Sequence, residues 1–196
     1  MQIESTALPG VLIFTPRRYG DHRGFFAESY NRLRMAEAGI GIEFVQDNHS
    51  LSEAVGTIRG LHFQAPPHTQ DKLVRCGRGA FLDVAVDIRR GSPSYGRWVA
   101  AELSFENARQ MLIPSGFAHG FVTLTPQAEI VYKCSDYYAP ETEGAIRWND
   151  PRIGIDWGLP EGTTPVVSDR DAGAPWLSEI DSPFTYEGPL PWEVAR

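Results

Sequence analysis

A chain of 196 residues with 42% hydrophobic and 22% charged residues has the length of one domain, can bury a core and lacks the composition of a disordered segment. Its formal net charge of −7 gives no general attraction to nucleic acid or an anionic membrane, so an anionic ligand must be held by local basic groups. The opening MQIESTALPGVLIF has no basic segment followed by an apolar one, and no window approaches the roughly 20 apolar residues of a membrane span, which makes the cytosol the default expectation.

Along the chain, Val11–Thr15 reads as a first strand. Asn31 then caps LRMAEA ahead of Gly39, which predicts a short helix over 31–38. Further strands are expected at Ala80–Ile88, Arg97–Leu103, Gln110–Ile113, Gly120–Thr125 and Ala128–Cys134, separated by turns such as RRGSPSYG and TLTPQ. Gly (19) and Pro (15) punctuate these short runs, the pattern of an all-β sandwich or barrel. In AEIVYKC, the period of two puts Ile130, Tyr132 and Cys134 on one face, so Tyr132 points with the apolar set. From about Tyr137 the composition shifts to Pro, Gly, Asp and Trp. This segment is expected to wrap the barrel, leaving residues 1–196 as a single domain. Cys76 and Cys134 fit neither a CxxC pair nor a disulfide framework and are read as buried free thiols.

Neither GxGxxG nor GxxxxGK[ST] is complete, which argues against nicotinamide or P-loop chemistry. The five histidines, His22, His49, His62, His68 and His119, include no HxH or HExxH pair. The stretch PSGFAH ending at His119 resembles the second motif of the cupin barrels. Where the first cupin motif would supply two histidines one residue apart, RGLHFQ supplies only His62, a departure that argues against a metal and leaves this imidazole free to handle protons.

A base that removes a proton from carbon needs an acid to orient it and a group to hold the oxyanion that forms. Lys72 is the nearest candidate for the second role, provided RGLHFQ and DKLVRC run as adjacent strands. For the first, Asp83, Asp87, Asp169 and Asp171 cannot be ranked by spacing. A lone histidine in a half-apolar strand is more often structural than catalytic, and Tyr132 and Lys72 taken singly read as packing and surface residues.

Together the segments DHRGFFAE, QDNHS, TIRGLHFQAPPHTQDKLVRC, GAFLDVAVDIRRGSPSYGRW, IPSGFAHGFVTL, EIVYKCSDYYAPETEGAIRWNDP, IGIDW and VVSDRDAGAPWL resemble the dTDP-4-dehydrorhamnose 3,5-epimerase family over nearly the whole chain. The resemblance implies an all-β cupin double-stranded β-helix, or jelly roll, with one or two short peripheral helices. It also implies no metal, no organic cofactor, and a homodimer with shared strands, whose subunits complete each other's sites. Its implied activity is epimerisation at C3 and C5 of dTDP-4-dehydro-6-deoxy-D-glucose to dTDP-4-dehydro-L-rhamnose, in dTDP-rhamnose biosynthesis. By motif, His62 resembles the family's base, Asp171 of SDRD its orienting acid, Lys72 the oxyanion holder and Tyr132 the acid on the far side of the ring. Arg23, Phe26, Glu28, Gln46, Asn48, Arg59, His119, Tyr138, Glu143 and Arg170 match substrate-binding positions, with Tyr138 and Phe26 near the thymine. Arg170 and Asp169 stand where the family's SEKD has lysine and glutamate. A mono-epimerase of related dTDP-4-keto-6-deoxy sugars is the alternative; a non-catalytic sugar-nucleotide cupin and a metal-dependent cupin are weaker ones.

Overall fold

The computed structural model describes residues 1–159 and 162–194. In chain order these form β1 (Gln2–Ser5), β2 (Leu12–Thr15), β3 (Arg18–Asp21), β4 (Gly24–Ala27), α1 (Arg32–Glu37), β5 (Gln46–Ser52), β6 (Ile58–Gln64), β7 (Lys72–Arg78) and β8 (Ala80–Asp87). There follow β9 (Trp98–Ser104), β10 (Gln110–Ile113), β11 (Phe117–Thr123), β12 (Ala128–Cys134), β13 (Glu143–Ala145), α2 (Asp169–Ala172) and α3 (Pro191–Val194). One six-stranded sheet has the order β1-β2-β10-β7-β12-β5 and a five-stranded sheet the order β13-β6-β11-β8-β9. A separate hairpin pairs β3 with β4. Every named pairing is antiparallel, and the two larger sheets pack face to face as a cupin-type jelly roll.

The period of two along each strand divides the apolar residues into layers. Phe81 and Ala85 of β8 meet Val74 and Cys76 of β7, Met111 and Ile113 of β10, and Ile130 of β12 in the space between the sheets. Alternate residues of the five-stranded sheet, Val84 and Val86 among them, face outward and are covered by Ile146, Ile153, Trp157, Leu177 and Phe184 of the C-terminal segment. On the far side, Leu73 and Leu112 lie under Met35 of α1 and Trp192 of α3. Towards one end of the interior the apolar filling gives way to Lys72, Asp83, His119 and Tyr132. That end is where the candidate site forms.

The strands expected from residues 11–15, 80–88, 97–103, 110–113, 120–125 and 128–134 are all present, with ends shifted by up to three residues for β11. Asn31 caps α1 as its sequence suggests, accepting from the Leu33 and Arg34 amides. Two further helices, α2 and α3, have only four residues each, too short to leave a periodic signal. Strands β1, β3 to β5 and β13 carry few buried apolar residues, so a search for apolar alternation passes over them. One expectation needs correcting: β6 and β7, which carry RGLHFQ and DKLVRC, are not adjacent strands but belong to opposite sheets. Their polar residues converge across the interior. Cys76 and Cys134 are buried and free. Among the described residues, no helix is long and apolar enough to cross a membrane.

Candidate active site

On the five-stranded wall, the pairing of β6 with β11 is irregular. His62 lies opposite His119 and Arg59 opposite Phe121, so three steps on β6 match two on β11. This extra residue is a β-bulge, and it brings Arg59 and His62 to the same side of the strand. It centres on Gly60, whose φ of 122° and close approach to the Gly120 backbone exclude a side chain.

His62 Nε2 lies 2.7 Å from Asp171 Oδ1. Asp171 is buried, and its other oxygen accepts from the Gly60 amide at 3.2 Å. The Ser168 hydroxyl accepts from the Asp171 amide at 3.1 Å and so caps the single turn of α2 that presents the carboxylate. Burial raises the carboxyl pKa, but the His62 hydrogen bond and charge and the Gly60 amide outweigh it and hold Asp171 below the ordinary aspartate range. A carboxylate accepts only, so neutral His62 donates from Nε2 and carries its lone pair on Nδ1.

The opposite wall is built from cross-strand rows. Tyr132 on β12 stands opposite Asn48 on β5, and Cys134 lies between Gln46 and Lys72. Tyr132 shares its face with buried Ile130 and Cys134, as the alternation of AEIVYKC indicates. Its phenol pKa is raised, chiefly by burial, with the Cys134 thiol adding and Asn48 and Arg59 opposing. Burial pushes the Lys72 ammonium pKa down, against the pull of Cys134, Asp83 and Glu143.

Between the walls lies a cleft of about 250 Å³ that takes in His62, Lys72, Tyr132, Gln46, Asn48, Tyr138 and Glu143. At its mouth the Tyr138 hydroxyl donates to Glu143 Oε2 at 2.9 Å, and Arg170 Nη2 pairs with the same oxygen at 2.8 Å. Burial raises the Glu143 pKa, but Arg170 and Tyr138 outweigh it and hold the group ionised below its usual range. The side chain of Tyr138 is exposed and its amide donates to Gln46 Oε1 at 3.0 Å, which fixes an aromatic face beside the polar cleft. An imidazole oriented by a carboxylate, an ammonium of lowered pKa and a buried phenol have the chemistry that a general base, an anion holder and a proton donor require.

Residues 5–179 match the family model described as dTDP-4-dehydrorhamnose 3,5-epimerase. The dTDP-4-dehydrorhamnose 3,5-epimerase of Salmonella typhimurium is 53% identical over 180 residues, covering 91% of this chain and 97% of that one. That of Pseudomonas aeruginosa is 51% identical over 182 residues, covering 92% and 98%. Among solved structures, the dTDP-6-deoxy-D-glucose-3,5-epimerase of Legionella pneumophila, in complex with dTDP-4-keto-L-rhamnose, superimposes with a TM-score of 0.90. It shares 47% identity and covers 95% of this chain and 99% of that one. The chain belongs to the dTDP-4-dehydrorhamnose 3,5-epimerase family. It is an enzyme, an epimerase of the cupin-type β fold.

Within this epimerase, Arg59 sits beside the cleft on the His62 side, donating from Nε to Ser52 Oγ at 3.3 Å and from Nη2 to the Leu51 carbonyl at 3.2 Å. His119 is behind the cleft rather than in its lining, buried against Asp83 with Nε2 at 2.7 Å from Oδ1. Arg23, Phe26 and Glu28 are not gathered with the others in the subunit. Arg23 and Phe26 lie on the β3–β4 hairpin, where Arg23 pairs with Asp21, and Glu28 pairs with Arg34. Gln64 and Gln70 line the cleft although sequence reasoning did not single them out. For Gln64 a signal existed, since it stands two residues after His62 on the same strand face. Asp83, weighed above as an orienting acid for His62, bonds His119 instead; Asp171 bonds His62.

Proposed function

We propose that the epimerase inverts C3 and C5 of dTDP-4-dehydro-6-deoxy-D-glucose, yielding dTDP-4-dehydro-L-rhamnose, with His62, Asp171, Lys72 and Tyr132 performing the chemistry. The observation that carries this reading is the His62–Asp171 hydrogen bond of 2.7 Å on one wall of a cleft whose other wall holds Tyr132 and Lys72.

The C4 ketone acidifies the C–H bonds on both neighbouring carbons, so a single base on one side of the ring serves each in turn. His62 Nδ1 takes the proton, the C–H electron pair moves into a C3–C4 or C4–C5 enolate, and negative charge collects on the C4 oxygen. The Lys72 ammonium donates to that oxygen. The raised pKa of Tyr132 keeps its phenol protonated at neutral pH, ready to deliver a proton to the opposite face and invert the carbon. The imidazolium, stabilised by Asp171, then loses its proton as tyrosinate regains one, with solvent closing the balance.

For the nucleotide, Tyr138 offers a stacking face for thymine, and Gln46, Asn48, Glu143 and Arg170 offer hydrogen bonds around the base and sugar. Arg59 is assigned to the diphosphate, where a guanidinium fork suits phosphate oxygens. Arg23, Phe26 and Glu28 act in the neighbouring subunit of a homodimer. Supporting this, Phe26 is 69% exposed on a hairpin outside both main sheets, an aromatic with no cover in its own subunit. The direct test is conversion of dTDP-4-dehydro-6-deoxy-glucose followed by proton NMR. Vicinal couplings showing inversion at both carbons are expected, and an unchanged sugar overturns the assignment.

A further inference from the structure

Asp83 projects from β8 into the space between the sheets and is fully buried. One oxygen takes the hydrogen bond from His119, whereas Oδ2 is buried with no hydrogen-bond partner among the described residues. A buried carboxylate oxygen without a partner is costly, and one retained beside an active cleft calls for a reason. The reason faces it from the other sheet. The Lys72 ammonium likewise makes no hydrogen bond among the described residues, and its charge and that of Asp83 act on each other.

We propose that Asp83 is a positioning residue of the epimerase, a fixed counter-charge that keeps Lys72 protonated in its half-buried setting so that it can donate to the substrate oxyanion. This rests on the role given to Lys72 above. Through Oδ1 the same carboxylate holds the His119 ring with Nε2–H towards β8. Burial, with the charges of Lys72 and His62, outweighs the opposing pull of Asp83 and favours the neutral imidazole, which adds no second positive charge beside Lys72. The groups whose charge acts on Lys72 are Asp83 from β8, Glu143 from β13 and the Cys134 thiol from β12; His119 on β11 feels Lys72 and, from β6, His62. Of the acidic groups, Glu143 already shares its charge with Arg170. The Cys134 thiol has its pKa raised by burial, which favours its neutral form. Asp83 is the carboxylate left to balance the ammonium: burial raises its pKa, and the charges of His119 and Lys72 oppose that rise, so carboxylate and ammonium each favour the other's charged form.

The chain makes this directly measurable because it contains only two lysines, Lys72 and Lys133. With 13Cε-labelled lysine the NMR titration has two resonances, and Lys133, paired with Asp47 at 2.9 Å, is the internal control. In Asp83→Asn the Lys72 titration is expected to move to lower pH while Lys133 stays in place, and the alkaline limb of turnover is expected to move with Lys72. A Lys72 titration unchanged in a folded Asp83→Asn protein overturns the proposal, because loss of packing alone lowers the melting temperature without moving that titration. Should Asp83→Asn fail to fold, Lys72→Met reads the coupling from the other side. Asp83, followed by 13Cγ-labelled aspartate, must then bind its proton at higher pH than in the parent, and no change overturns the proposal. Failure of the catalytic reading is separate: it shows as proton exchange surviving in His62→Asn, whatever Lys72 does.

Discussion

Arg59 and His62 lie on the same face of β6 although three residues separate them, because one extra residue at Gly60 re-phases the strand. The bulge is what lets a guanidinium and the imidazole proposed as base share one side of a strand, and it also places the Gly60 amide on Asp171.

Gly60→Ala should therefore damage both fold and site. A Cβ at Gly60 would come within 2.6 Å of the Gly120 Cα and 2.7 Å of the His119 carbonyl, at a φ of 122°. The expected loss is about 1–3 kcal/mol from backbone strain alone, more if β11 must move, together with reduced turnover. Thermal unfolding and initial rates measured on the same preparation check this. A melting temperature unchanged from the parent contradicts the bulge's role.

Asp171→Asn should leave the fold largely intact but remove the anion that fixes His62 and stabilises its protonated form. The expected fall in turnover is about 10²–10⁴-fold, the range for general-base catalysis. Linkage gives a second signature. The folded-state pKa of Asp171 is depressed, so its contribution to stability is present above the ordinary aspartate value and is lost as pH falls through the lower folded value. Denaturant midpoints of parent and variant should converge on acidification, and a gap that widens there would contradict the assignment.

His62→Asn and Tyr132→Phe should differ in kind. Loss of the base stops deuterium exchange at both carbons, whereas loss of the phenol leaves proton abstraction and blocks inversion. Equal loss of initial exchange in the two variants contradicts the separate roles. On the alkaline side, turnover should fall as Lys72 loses its proton, at lower pH than an ordinary lysine because burial lowers its pKa, while burial raises that of Tyr132. A pH profile of Lys72→Arg, whose guanidinium stays charged, should lose that early limb.

The proposed pairing of subunits predicts that Arg23→Ala and His62→Ala proteins are each inactive alone and recover activity when mixed. Random pairing leaves about a quarter of the sites with both residues intact, if the hairpin of one subunit completes the cleft of the other. Mixtures no more active than their parts contradict a site shared across the dimer.

Much of this was legible in the sequence where burial writes a period of two. AEIVYKC alternates because one face meets the inter-sheet core, and that alternation already turned Tyr132 inward, whereas Ala80–Ile88 is buried on both faces and reads as a near-continuous apolar run. Strand β5 was not legible, since its inner face carries Gln46, Asn48 and Ser50 for the cleft rather than apolar residues for the core. The pairing of His62 with Asp171 spans 109 residues, and no local pattern separates Asp171 from Asp83 or Asp87. Only the fold divides them: Asp171 onto His62, Asp83 onto His119, and Asp87 into a buried network with Arg89, Ser92 and Ser94. The phase of Arg59 relative to His62 was hidden for the same reason, because a bulge is set by the partner strand.

The most direct measurement is incubation of the enzyme with dTDP-4-dehydro-6-deoxy-glucose in heavy water, followed by proton NMR of the recovered sugar. The proposed chemistry predicts deuterium at both C3 and C5, with both centres inverted in the product. Deuterium at only one of the two carbons would contradict it and assign the cleft to single epimerisation.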